Sequence, residues 1–127
     1  MHADVATPIP LVSVVDDDPS IRESLPELLK ACGFAVRAFA SAEEFLASGC
    51  VDQTQCLILD VAMPGMSGPE LQANLSHRKR IPIIFVTATV DSAIRSRVLA
   101  NGAVACLYKP FSEDALLEAL HAALGTN

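Results

Sequence analysis

The stretch Cys56-Leu57-Ile58-Leu59-Asp60, followed at once by Val61-Ala62-Met63-Pro64-Gly65-Met66-Ser67-Gly68, decides the fold. A short apolar run bounded by turn formers reads as a buried strand, and this one delivers a carboxylate, Asp60, to the point where the chain must turn. Asp60 is the candidate reactive group. Three more runs share the design: Leu11-Val12-Ser13-Val14-Val15 ends in Asp16-Asp17-Asp18, Ile83-Ile84-Phe85-Val86 ends in Thr87, and Val104 to Tyr108 ends in Lys109. If the strands are parallel, these hydrophilic ends meet on one edge of the sheet.

The segments between the runs read as helices. Asp18 is the N-cap of the first, with Pro19 at its first position, an apolar side of Ile21, Leu25, Leu28 and Leu29, and Gly33 as its stop. Pro26 interrupts that helix, because it lacks the amide that would bond to the Arg22 carbonyl. Phe34 to Phe39 is a more polar strand, as expected at a sheet edge. Ser41 and Glu44 form a capping box that opens a second helix with Phe45 and Leu46 inward, ended by Gly49. Gly68-Pro69-Glu70 opens a third helix, with Leu71 and Leu75 buried and Arg78-Lys79-Arg80 at its C-terminal end, where the dipole favours cations. Asp91 to Asn101 is a fourth, stopped by Gly102. Ser112-Glu113-Asp114 opens a fifth, which buries Leu116, Leu117, Leu120 and Leu124 before Gly125.

Strand and helix thus alternate five times, the pattern of an α/β fold with a parallel sheet and right-handed crossovers. The expected fold is a doubly wound, flavodoxin-like five-stranded parallel sheet in the order 2-1-3-4-5 with five helices. Its ligand crevice lies between strands one and three, where the order reverses. That rule sets Asp16-Asp17-Asp18 and Asp60 on either side of one crevice.

At 127 residues the chain is one domain, residues 9–127, preceded by an N-terminal tail over residues 1–8 that carries no periodic pattern. The net charge of −6 lacks the basic patch that nucleic acid requires, so no direct nucleic-acid partner is expected. No apolar run approaches the roughly 18 residues of a membrane span, and Met1-His2-Ala3-Asp4 is no basic signal-peptide start, so no membrane partner and a cytoplasmic location are expected. Cys32, Cys50, Cys56 and Cys106 show no C-x-x-C pairing and read as buried reduced thiols. His2, His77 and His121 lack metal spacing and read as surface residues.

Converging carboxylates need a cation, since two unit charges about 4 Å apart repel by roughly 4 kcal/mol at an effective dielectric of 20. All-oxygen ligation at an open, partly hydrated site suits Mg²⁺. Lys109 supplies a second positive charge and Thr87 a hydroxyl donor. Carboxylate nucleophile, divalent metal, ammonium and hydroxyl are the parts needed for phosphoryl transfer onto Asp60.

Val15-Asp16-Asp17, Leu59-Asp60 with Met63-Pro64 and Ser67-Gly68, Val86-Thr87-Ala88, and Lys109-Pro110-Phe111 together resemble the motifs of two-component response-regulator receiver domains, which have the CheY-like fold. The resemblance runs from about Leu11 to Leu124, and around Leu59 to Gly68 and Gly102 to Phe111 it is most similar to receivers of the FixJ type. It implies that Asp60 accepts a phosphoryl group from a histidine kinase or a histidine phosphotransfer protein. It also implies that Asp17, Asp60 and the Ala62 backbone carbonyl bind Mg²⁺, with Asp16 acting through a water. Thr87 and Lys109 would grip the phosphoryl oxygens, and the Lys109-Pro110 peptide would be cis. The domain would be a switch that assists its own phosphorylation and dephosphorylation rather than an enzyme. The switching face would be helix four, strand five and helix five, around Ile94, Arg95, Val98 and Tyr108, with a phosphorylation-dependent homodimer or an effector domain as the partner. One position departs from the pattern: Cys106 stands where many receivers carry an aromatic.

Each assignment has a plainer counterpart. Asp16 to Asp18 are also what the start of any helix favours, Asp18 is a cap rather than a ligand, and Arg95 and Arg97 read as a solvated face. Two rival functions share the residues. A haloacid-dehalogenase-like phosphatase would use Asp16 as nucleophile, but it leaves Asp60 without a role and needs a larger domain with a cap. A flavodoxin-like FMN carrier would place a phosphate in an acidic crevice and has no Trp and one Tyr for stacking. With helix five ending at Leu124, a stand-alone regulator and a receiver from a longer transcription factor are both open readings.

Overall fold

A computed structural model describes residues 9–125. Five parallel strands form one sheet: β1 (Leu11–Val15), β2 (Ala35–Phe39), β3 (Cys56–Asp60), β4 (Ile83–Thr87) and β5 (Ala105–Tyr108), in the order β2-β1-β3-β4-β5. Between them run α1 (Pro19–Ala31), α2 (Ala42–Ala47), α3 (Gly68–Ser76) and α4 (Ser92–Ala100), with α5 (Glu113–Leu124) last and a 3₁₀ turn, Val51–Gln53, before β3. The tail expected over residues 1–8 lies outside the described residues.

Side chains alternate along each strand, so the sheet has two apolar faces. Val12, Val14, Ile58, Ile84 and Val86 face Leu25 and Leu29 of α1 and Leu116, Ala119 and Leu120 of α5. Leu57, Leu59, Ile83 and Phe85 face Phe45 of α2, Leu71 and Leu75 of α3, and Val98 of α4. The central strands β3 and β4 are buried along their whole length, whereas β2 alternates with exposed positions, as an edge strand does.

The register aligns the strand ends. Val15 stands beside Leu59, Asp60 beside Val86, and Thr87 beside Tyr108. The residues that follow each strand therefore emerge at one level, where β1 and β3 send their chains to opposite faces.

Several local expectations need correction. Ser41 does cap α2, accepting from Glu44 N at 3.0 Å, but the Glu44 carboxylate turns back to Ala40 N rather than to Ser41 N, so the box is displaced by one residue. The reciprocal box forms instead at α3, where Ser67 Oγ accepts from Glu70 N and Glu70 Oε1 from Ser67 N. Arg78, Lys79 and Arg80 follow the end of α3 rather than lying within its last turn, and Lys79 Nζ donates to the Asp52 carbonyl. In α5 the fully buried row is Leu116, Ala119 and Leu120, while Leu117 and Leu124 are half-buried. Leu46 is also only half-buried.

Asp18 caps α1 by accepting from Ser20 N at 2.9 Å, and Pro26 lies within the helix. Cys32 is exposed at the end of α1, contrary to expectation. Cys50, Cys56 and Cys106 are buried free thiols, and burial pushes the Cys56 thiol up to about 12. His77 is exposed, and His2 lies outside the described residues.

Candidate functional site

The carboxylates are brought to one place by strand geometry. Asp16 follows β1 and is held there by backbone, with Asp16 N donating to Phe39 O at 3.1 Å and Arg22 Nη1 donating to Asp16 O at 3.0 Å. Asp60 closes β3, and the next residue is tied to the neighbouring strand through Val61 N to Val86 O at 3.1 Å. Oxygens of Asp16, Asp17 and Asp60 all lie within 4.8 Å of one another, with Asp16 and Asp60 buried and Asp17 exposed. One open side and two buried ones make a half-sunken acidic cup at the switch point.

Lys109, after β5, supplies the counter-charge. Its Nζ lies 2.8 Å from Asp16 Oδ2 and 3.7 Å from Asp60 Oδ1. Its backbone N donates to Thr87 O at 2.8 Å, which fixes the stem, and the Lys109-Pro110 peptide is cis. Burial alone would lower the lysine's pKa, but Asp16, Asp60 and Asp18 together outweigh it and hold the ammonium above its ordinary value. One ammonium does not neutralise two buried carboxylates. Burial, reinforced by repulsion from Asp16 and opposed by Lys109, raises Asp60 from 3.8 to about 7.

Asp16 is fully buried, and both of its carboxylate oxygens have partners. Oδ1 accepts from Asp18 N at 2.9 Å, and Oδ2 pairs with Lys109 Nζ at 2.8 Å. Three clustered carboxylates share that single ammonium, so negative charge is left over for a cation to offset. Three carboxylates with no sulfur or imidazole among them are a hard-oxygen donor set, the chemistry of Mg²⁺ or Ca²⁺ rather than of zinc. The residues present therefore fit a divalent cation.

Thr87 ends β4 and is buried; its Oγ1 accepts from Thr89 N at 3.1 Å and lies 3.3 Å from Thr89 O. The hydroxyl thus closes its own loop. Ala62 is exposed two residues past Asp60. On the α4–β5 side, Arg95 is exposed and Tyr108 and Ile94 are half-buried, but Val98 is fully buried against Leu71 and its neighbours and offers nothing to a partner. Cys106 is buried on that same face of the sheet, its thiol raised by burial and partly countered by Arg95.

Sequence reasoning placed Gly68 at the start of α3 and in the Ser67-Gly68 motif but missed its close approach to Asp60. A Cβ there would stand 2.3 Å from the Asp60 carbonyl oxygen and 3.0 Å from the Phe85 ring, so α3 can start against the back of Asp60 only as glycine. Its amide donates to Val61 O at 3.0 Å, closing the loop. A glycine at the first position of a helix, where a better helix former costs nothing locally, is the signal that was available.

The dehalogenase-like use of Asp16 as nucleophile loses its ground in this geometry. That carboxylate is fully buried and paired with Lys109, while Asp60 stands beside it.

Among the described residues no helix is long and apolar enough to cross a membrane. The family described as response regulator receiver domain matches residues 12–121. Nodulation protein W of Bradyrhizobium diazoefficiens is 44% identical over 123 residues, which is 96% of this chain and 54% of that protein. The transcriptional regulatory protein FixJ of Rhizobium meliloti is 39% identical over 113 residues, 88% of this chain and 55% of the relative. The chain thus spans about half the length of the curated relatives it matches. The crystal structure of FixJ-N superposes with a TM-score of 0.83 at 36% identity, covering 94% of this chain and 96% of that one. Because the family match begins within β1 and ends within α5, and so takes in every strand and the whole acidic crevice, this chain belongs to the response regulator receiver domain family.

Proposed function

We propose that Asp60 is the phosphoacceptor of a two-component system, taking a phosphoryl group from a histidine kinase or a histidine phosphotransfer protein. The observation that carries this reading is the placement of the Asp60 carboxylate within 4.8 Å of Asp16 and Asp17 oxygens and 3.7 Å from Lys109 Nζ. A P–O bond to Asp60 forms as the P–N bond to the donor imidazole breaks, and charge on the transferring group has to be neutralised along the way. Asp17, Asp60 and the Ala62 backbone carbonyl would hold Mg²⁺, with Asp16 contributing through a water. When bound, the ion offsets the negative charge shared by the nucleophile and the phosphoryl oxygens.

The chain's own residues do the rest. Lys109 leaves its asymmetric pairing with the two carboxylates for a phosphoryl oxygen, and Thr87 gives up its bond within the β4–α4 loop to donate to another. Because Thr87 leads into α4 and Lys109 directly follows β5, both movements reach the face of α4, β5 and α5. Arg95, Ile94 and Tyr108 are its accessible groups. That face would bind an effector domain or a second phosphorylated copy, in the cytoplasm, with residues 9–127 acting as one receiver unit. The domain works as a switch and catalyses nothing beyond the making and loss of its own phosphoaspartate.

Incubation with acetyl phosphate and Mg²⁺ followed by intact-mass spectrometry tests the assignment. One phosphate adduct is expected, absent in Asp60→Asn and absent in chelator. An adduct that persists in Asp60→Asn, or forms equally well without Mg²⁺, overturns it.

A further inference from the structure

We propose that Glu43, an exposed side chain on α2 outside the acid cluster, is a positioning residue for the metal site. It acts by tying the loop between β3 and α3, residues 61–67, to a third element. The inference rests on the Mg²⁺ reading above.

The loop leaves Asp60 and must return to start α3 against it. Three successive amides at its end are each satisfied. Ser67 N donates to Glu70 Oε1 at 2.8 Å, Gly68 N to Val61 O at 3.0 Å, and Met66 N to Glu43 Oε2 at 2.9 Å. The first two are local closures, a helix cap and the neck of the loop. The third comes from 23 residues upstream and is the one of the three that fixes the loop to a separate helix.

The sequence around the bond is shaped to admit it. Gly65 has φ +76, and a Cβ there would stand 2.7 Å from Glu43 Oε2, so glycine both permits the turn and leaves the carboxylate its path. Met63 and Met66 anchor the same loop by packing on the apolar face that contains Phe45 of α2. The adjacent acid does something else: Glu44 turns to Ala40 N. Two glutamates at one helix start thus have different work, and Glu43 alone of the pair reaches the loop.

The consequence for the site follows from ion chemistry. Ala62 lies in this loop, two residues after Asp60. Mg²⁺ demands near-ideal octahedral ligands at about 2.0–2.1 Å, so a backbone ligand on an untethered loop binds it less well than one held in place. A single hydrogen bond that pins the loop to α2 contributes about 1 kcal/mol, enough to set that difference.

The test compares Glu43→Ala, which removes the acceptor, with Glu43→Gln, which removes the charge and keeps an acceptor oxygen. Two readouts are made on the metal-free protein: exchange of the Met66 amide by NMR, and calorimetric titration with MgCl₂ alone. Glu43→Ala is expected to speed Met66 exchange and to weaken Mg²⁺ binding about fivefold, close to 1 kcal/mol. Glu43→Gln is expected to stay within about twofold of the parent on both. Equal weakening in both variants would mean that the carboxylate acts by its charge, and the positioning role falls. Unchanged Met66 exchange in Glu43→Ala, or faster exchange with unaltered Mg²⁺ affinity, also overturns it. A parent chain that binds no Mg²⁺ overturns the metal reading and this inference with it, a result distinct from the others because it precedes any substitution.

Discussion

Gly68→Ala is the substitution that most directly examines how the fold holds Asp60. Gly68 has no left-handed backbone angle and opens α3, so propensity alone favours alanine there by up to about 1 kcal/mol. Packing says the opposite. The added methyl would lie 2.3 Å from the Asp60 carbonyl oxygen, 3.1 Å from its carbonyl carbon and 3.0 Å from Phe85 Cε1, against an optimal separation of about 3.5–4.0 Å. Two of those atoms are backbone of a buried strand and do not swing aside as a side-chain tip would. Relief therefore requires the start of α3 to move away from β3 by about 1 Å, straining the Gly68 N to Val61 O bond and the Ser67–Glu70 box. Overpacking of this kind costs about 1–3 kcal/mol, and the expected net loss is about 2 kcal/mol. In urea the midpoint should fall with an unchanged m-value, and the thermal midpoint should drop by roughly 8 °C. Uptake of phosphate from acetyl phosphate should slow in the same variant, since the displaced backbone carries the acceptor. A Gly68→Ala protein as stable as the parent and equally quick to phosphorylate would show that the strand yields cheaply and that the close approach is not a constraint.

Three further outcomes are expected. Asp60 titrates near 7 in the folded, metal-free chain against an ordinary 3.8, so between those values the native state holds a proton that the unfolded chain has released; stability in chelator should fall as the pH rises from about 4 to about 7 and then level. Urea titrations at pH 5 and pH 8 should show that loss in the parent and not in Asp60→Asn, and an identical slope in both would assign it elsewhere. Pro26→Ala should stabilise the protein by about 1 kcal/mol, because an interior proline leaves the Arg22 carbonyl without its helical donor; a lower midpoint would mean that the ring is needed for packing. Cys106 is too small to change rotamer into space vacated by Thr87, so Cys106→Ala should leave phosphorylation-dependent association within about tenfold, about 1.4 kcal/mol of coupling. Loss of the response with normal phosphorylation of Asp60, read by sedimentation, would show that the cysteine carries the signal.

The sequence by itself determined the fold because the signals that set it are local and repeated. Four apolar runs and one more polar strand alternate with capped helices at lengths suited to crossovers, and a doubly wound sheet is what right-handed connections make of that alternation. The candidate site was legible for the same reason: Asp16, Asp60, Thr87 and Lys109 each end or directly follow a strand, and parallel register places strand ends side by side without any need to know the side-chain packing. Tertiary structure alone decided the rest. Val98 looks like a surface residue in a helix bearing two arginines, yet it is buried against α3, because which stripe of a short helix faces inward depends on where the neighbouring helix lies. Glu44 reads as the partner of Ser41 by spacing, but the chain entering α2 turns its carboxylate to Ala40. The nearness of Gly68 to Asp60 and of Glu43 to Met66 are distances between segments, and no local pattern encodes a distance. Which oxygen of Asp16 meets Lys109, and which accepts from Asp18 N, likewise follows from how three strand ends and one lysine stem come to rest together.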